Sequence, residues 1–173
     1  MKKLEEIKEY LGSYDGDEMK IMEVCGSHTG AIQKNGIAKL LSKKIELISG
    51  PGCPVCVTVT AVIDRLSDLA REENTTVLSF GDLLRVPGSS ESLSSARATG
   101  ASVDFVYAPA DALKRAAREP ERRFVFAAIG FETTAPVYAM LLESALAERV
   151  SNLRLLTSLK TMPAAIRAVA RLA

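Results

Sequence analysis

Apolar residues in this chain gather in short unbroken runs, with amphipathic stretches between them. The runs are "KIMEVC" (20–25), "KIELIS" (44–49), "TTVLSF" (75–80), "VDFVYA" (103–108), "RFVFAAIG" (123–130) and "LRLLTSL" (153–159). A half-exposed strand alternates apolar and polar residues. A strand of a parallel sheet, covered on both faces, reads as a continuous apolar run. These six runs therefore predict buried parallel strands. Helical spacing predicts helices at 30–42, 57–73, 91–99, 110–118, 136–149 and 163–172, after a short charged helix at 3–12. Start and stop residues agree with this. Ser90 or Ser92 can cap the helix from 91, Pro136 and Pro163 stand in first turns, and Gly100 follows the end of a helix.

Strands alternating with helices make βαβ units, so the expected fold class is α/β: a parallel sheet with helices on both faces, followed by the start of a second similar α/β lobe. A boundary is expected near "EPER" (119–122). The expected divisions are a lead-in helix at 1–19, a first lobe at 20–120 with all three cysteines, and an incomplete second lobe at 121–173. Two strands alone leave edges open and bury little. The last segment either joins the first sheet or begins a unit continued in a longer protein.

Composition narrows the function classes. The 173 residues are 47% hydrophobic with no Trp, so an aliphatic core is expected. Net charge is +1, and Arg118, Arg122 and Arg123 are interleaved with Glu119 and Glu121. Without a basic face, no nucleic-acid partner is expected. No apolar run reaches membrane-spanning length, and the N-terminus has no signal-peptide character, so the expected location is the cytoplasm, without a membrane. Thiols stay reduced there, which favours metal or redox use of the three cysteines.

Candidate chemistry sits after the strands, where open α/β sheets form their clefts. "CGSHTG" holds Cys25, the only histidine, His28, and the hydroxyls of Ser27 and Thr29. "GPGCPVC" holds Cys53 and Cys56 at a spacing that suits a disulfide or shared metal ligation. A helix opening just beyond Cys56 would stabilise its thiolate. "GFETTAP" places Glu132, Thr133 and Thr134 before a helix that Thr134 can cap. In "GDLLRVPGSS", Asp82 and Arg85 can brace the loop, and the serines suggest an anion at the next helix. No phosphate-binding glycine motif is present. From the residues alone two functional readings follow, a thiol–disulfide oxidoreductase using Cys53 and Cys56 and a zinc-bound interaction module on Cys25, His28, Cys53 and Cys56, beside the plain alternative of two structural cysteines in a turn.

Taken in order, "MEVCGSHTGAIQKNGI" (22–37), "GPGCPVCVT" (50–58), "GDLLRVPGSSESL" (81–93), "VDFVYAPADAL" (103–113), "GFETTAP" (130–136) and "NLRLLTSLKTMPAAI" (152–166) resemble the HypD family of hydrogenase maturation factors. The resemblance implies a scaffold on which iron gains two cyanides and one carbon monoxide, the Fe(CN)2CO group of NiFe hydrogenases. It implies a HypC-type chaperone and a HypE-type cyanide donor as partners. It makes Cys25 an iron ligand shared with a cysteine of the HypC-type partner, with His28 beside it and in the metal's reach. Cys53 and Cys56 become the redox-active pair, and Glu132, Thr133 and Thr134 line the same cleft. Soft thiolates suit low-spin iron, and a dithiol closing to a disulfide gives up two electrons.

Three departures from the family pattern stand out. Gly30 replaces a second histidine, and Ser49 replaces a histidine before "GPGC". Family members are about twice as long and add a cysteine-rich region with a 4Fe-4S cluster, whose ligands are absent from these 173 residues. The expectation is a partial member, cut short or diverged.

Overall fold

A computed structural model describes residues 2–171, without the side chains of Lys2 and Ser27. The final position of the expected helix 163–172 and the Ser27 hydroxyl lie outside the described residues. The fold is α/β, with parallel sheets flanked by helices. Two compact units emerge: Met1–Cys53 with Ala165–Ala173, and Pro54–Ala164. They are drawn differently from the lobes expected at 20–120 and 121–173.

The first unit contains α1 (Lys2–Gly12), β1 (Met19–Glu23), α2 (Gly26–Lys34), a 3-10 turn at Ile37–Leu40 and β2 (Ile45–Ser49). β1 and β2 pair in parallel, with Met19 opposite Ile45 and Glu23 opposite Ser49. α2 opens at Gly26, inside a stretch whose glycines read as loop, and ends at Asn35–Gly36. Gly36 takes a left-handed backbone (φ 62°) that glycine adopts without strain. The predicted helix 30–42 is therefore two pieces. Two strands bury little, and Ile45 is the one buried hydrophobic side chain of this unit among the described residues.

The second unit contains α3 (Thr60–Arg71), β3 (Thr75–Ser79), a 3-10 turn at Leu83–Arg85, α4 (Leu93–Ala98), β4 (Val103–Phe105), α5 (Pro109–Arg118), β5 (Arg123–Gly130), α6 (Ala135–Ala147) and β6 (Leu153–Leu159). α7 (Met162–Ala170) follows. The strands form one parallel sheet in the order β4-β3-β5-β6. β5 and β6 thus extend the sheet of β3 and β4, the first of the two alternatives left open for the segment after "EPER". β5 shows why its run is unbroken. Val125, Ala127 and Ile129 join a core with α3 and α4, while Phe124, Phe126 and Ala128 join another with α5 and α6. Against the expectation of an aliphatic core, Phe124, Phe126 and Tyr138 are buried there: Phe126 packs edge-on against Phe80 and Tyr138, and the Tyr138 hydroxyl donates to Ile129 O at 2.7 Å.

Candidate functional site

Cys25 follows β1 and takes the N-cap position of α2, with extended backbone (φ −139°, ψ 118°). The first N–H groups of a helix and its dipole favour negative charge at this point. The carbonyl of Cys25 accepts the first helical bond, from Thr29 N at 2.9 Å, and a second from the Thr29 hydroxyl at 3.2 Å. His28 stands in the first turn, mostly exposed, with Nδ1 3.5 Å from Glu23 Oε1. A carboxylate at one ring nitrogen orients the imidazole and leaves the other nitrogen for chemistry. Sequence reading missed Glu23. Its signal was available: an acidic residue ending a strand two positions before the first cysteine.

The second sulfur loop folds onto the first. Gly50 N donates to Glu23 O at 2.7 Å, and Gly52 N donates to Gly50 O at 2.8 Å. At Gly52 the backbone lies on the Cys25–Gly26 peptide. A Cβ there would come within 2.7 Å of Gly26 N and 3.2 Å of Cys25 Cα. Only glycine allows that approach. With one Cα step from Gly52 to Cys53, the Cα atoms of Cys25 and Cys53 are held within roughly 9 Å. Both side chains are half-buried. A cavity of about 150 Å³ opens beside Glu23 and Thr29, with Gln33 and Ser49 on its walls.

Cys56 belongs to the other unit and is exposed. It lies in the turn that Pro54 begins, closed by Thr58 N donating to Val55 O at 3.1 Å and the Thr58 hydroxyl donating to Pro54 O at 3.0 Å. This turn delays α3 to Thr60, with Val59 as its N-cap, so Cys56 lies outside the first helical turn. Cys25, rather than Cys56, is the cysteine that stands at a helix N-terminus.

Glu132, Thr133 and Thr134 form the turn between β5 and α6. Thr134 holds the N-cap position, yet its side chain makes no capping hydrogen bond. It presses instead on Gly130, where a Cβ would meet Thr134 Cβ at 2.6 Å. The Glu132 carboxylate reaches a helix thirty residues on in the chain. Both of its oxygens accept from Met162 N, at 2.9 and 3.0 Å, at the start of α7. Lys160 joins this corner: its N–H donates to Gly130 O at 2.9 Å and its ammonium to the Ser158 hydroxyl at 2.9 Å. Burial holds the Lys160 ammonium below the usual lysine range.

The loop after β3 departs from expectation. Asp82 caps the turn at Leu83–Arg85 by accepting from Leu83 N at 2.9 Å. Asp64 of α3 accepts from Ser89 N at 2.7 Å and from the Ser89 hydroxyl at 2.6 Å. A carboxylate thus already occupies the donors of Ser89, one of the serines that suggested an anion site, and Ser92 caps α4 by accepting from Ser95 N. These two hydrogen bonds hold Asp64 below the usual carboxylate range, with its slight burial opposing them.

Among the described residues, neither unit arranges three His, Cys, Asp or Glu side chains to hold a metal ion. A 4Fe-4S cluster takes four thiolates, and three cysteines cannot house one. Among the same residues, no helix is long and apolar enough to cross a membrane.

The sequence matches the HypD family, described as "Hydrogenase formation hypA family", over residues 1–173. It is 41% identical over 163 residues to a protein named hydrogenase maturation factor HypD from Rhodobacter capsulatus, covering 94% of this chain and 43% of the relative. The HypD of Escherichia coli (strain K12) is 48% identical over 134 residues, 78% of this chain and 36% of the relative. That of Cupriavidus necator is 45% identical over 152 residues, 87% and 40% of the two chains. The chain spans about two fifths of the length of these relatives. A match across every residue, and identity above 40% to relatives of one name, have one reading: the chain belongs to the HypD family.

Proposed function

We propose that this chain carries the thiol centre of a hydrogenase maturation factor, on which the Fe(CN)2CO group is assembled with HypC-type and HypE-type partners. The observation that carries the reading is the seat of Gly52 on the Cys25–Gly26 peptide, which brings Cys53 beside Cys25. Iron is the cargo. Cys25, at a helix N-terminus, supplies one thiolate, and a cysteine of the HypC-type partner supplies another. His28, oriented by Glu23, works next to that sulfur as a ligand or as a proton carrier.

Cys53 and Cys56 supply electrons. A thiocyanate on the HypE-type donor, R–S–CN, reacts with the two thiols to give R–SH, cyanide on iron, a disulfide and one proton. The carbon–sulfur bond of the donor breaks, the sulfur–sulfur bond forms, and two electrons pass from the dithiol to the donor. Glu132, Thr133 and Thr134 act within their own unit, where Glu132 fixes the start of α7. The setting is the cytoplasm, where the thiols stay reduced.

The test is anaerobic assembly of the chain with iron, carbon monoxide and both partners, followed by infrared spectroscopy. Bands of iron-bound cyanide and carbon monoxide are expected. Cys25→Ala abolishes them along with iron retention, whereas Cys53→Ser keeps iron and loses the cyanide bands. A Cys25→Ala protein that retains iron and both sets of bands overturns the assignment.

A further inference from the structure

One surface of the second unit, at the end of β4, carries none of the site residues named above. Phe105 and Tyr107, at the end of β4, stand 40% and 87% exposed, and their rings meet edge-to-face at 5.5 Å. They open onto a groove of about 580 Å³ whose other wall is α5. Nothing in the core needs them: Val106 between them is the buried residue. An exposed tyrosine with a phenylalanine edge-on against it is a costly surface to leave in water and a typical interface anchor.

The charges around the groove are unequal. Its carboxylates are engaged: Asp111 accepts from Ala108 N at 3.1 Å, and Glu119 pairs with Arg115 and Arg122. Arg115 also binds Asp104. Lys114 and Arg118 remain. Four residues apart on α5, they share one face, and no carboxylate among the described residues pairs with either. Strand addition at β4 is not the mode on offer. The outward N–H of Val103 donates to Ala101 O at 3.0 Å, and that of Phe105 to Asp104 Oδ1 at 2.9 Å. Recognition there runs through side chains.

We infer that this groove docks a segment of a partner protein that carries clustered carboxylates around an apolar side chain. The apolar side chain covers Phe105 and Tyr107, and the carboxylates meet Lys114 and Arg118.

Selection of short random peptides on phage against the 173-residue chain is the test. The expected binders are rich in Asp and Glu around a Leu, Ile or aromatic centre. They lose roughly tenfold or more in affinity against Tyr107→Ala and against Lys114→Glu with Arg118→Glu, as anchor residues do. Circular dichroism checks that these surface variants stay folded. Selection that yields no binders, binders without acidic residues, or binders indifferent to the variants overturns the inference. So does an oligonucleotide or a second copy of the chain that competes for the same four residues with higher affinity.

Discussion

Gly52 is the residue on which the site's geometry turns, because its missing side chain is the space in which the two sulfur loops meet. In Gly52→Ala the new Cβ would meet backbone, which cannot rotate away as a side chain can. The variant is expected to lose roughly 1–3 kcal/mol in chemical denaturation, the usual cost of overpacking. A neutral result would mean that the loop is seated elsewhere. Glu23 acts one contact further out, through His28. Here the sequence offered the residue but no partner, since a strand-ending glutamate has many possible neighbours. Cys25, by contrast, was legible as chemistry but not as a helix cap. Gly26 and Gly30 are poor helix formers, and in the structure both have open space where a Cβ would stand, so the helix forms despite them.

Elements were legible where burial dictates the residue types. All six strands fall on the unbroken apolar runs, but the burial expected of them holds only for β3 and β5, which are covered on two faces; β1, β2, β4 and β6 are edge strands with exposed positions. Phe126 lies at the centre of this, fully buried, and Phe126→Ala should cost about 3–5 kcal/mol in a denaturant titration. Boundaries set by long-range hydrogen bonds were not legible. Nothing local says that Glu132 caps α7 rather than α6, since the N–H it accepts from belongs to Met162. Glu132→Ala should expose the amides of that helix end to faster hydrogen exchange and cost about 1 kcal/mol, the scale of a lost cap.

Asp64 ties α3 to the loop before α4, and its carboxyl is held low by the Ser89 hydrogen bonds. A depressed carboxylate adds stability above its ordinary range and loses it as pH falls through its folded value. Asp64→Ala should therefore melt below the wild type at neutral pH, and the two melting curves should begin to converge as pH falls below about 4, the ordinary aspartate value, and meet only below the depressed folded value.

At the scale of the molecule, the chain holds a well-covered four-stranded sheet in one unit and a thin two-stranded one in the other. The thin unit carries Cys25 and Cys53, with few buried side chains to hold it rigid. Its hold comes from contacts between loops: Gly50 on Glu23 and Gly52 on Cys25. The sequence supplied the sulfur motifs and their order. It could not supply the meeting of residues 25 and 52, because that contact joins the ends of two strands paired side by side. The most direct measurement is thiol crosslinking of the reduced Cys56→Ser protein with a short bifunctional reagent, read by peptide mass spectrometry. A Cys25–Cys53 crosslink as the dominant product is the expected result, with its yield cut sharply by Gly52→Ala. Cys25 and Cys53 each modified singly, without a link between them, would contradict the convergence of the two sulfur loops.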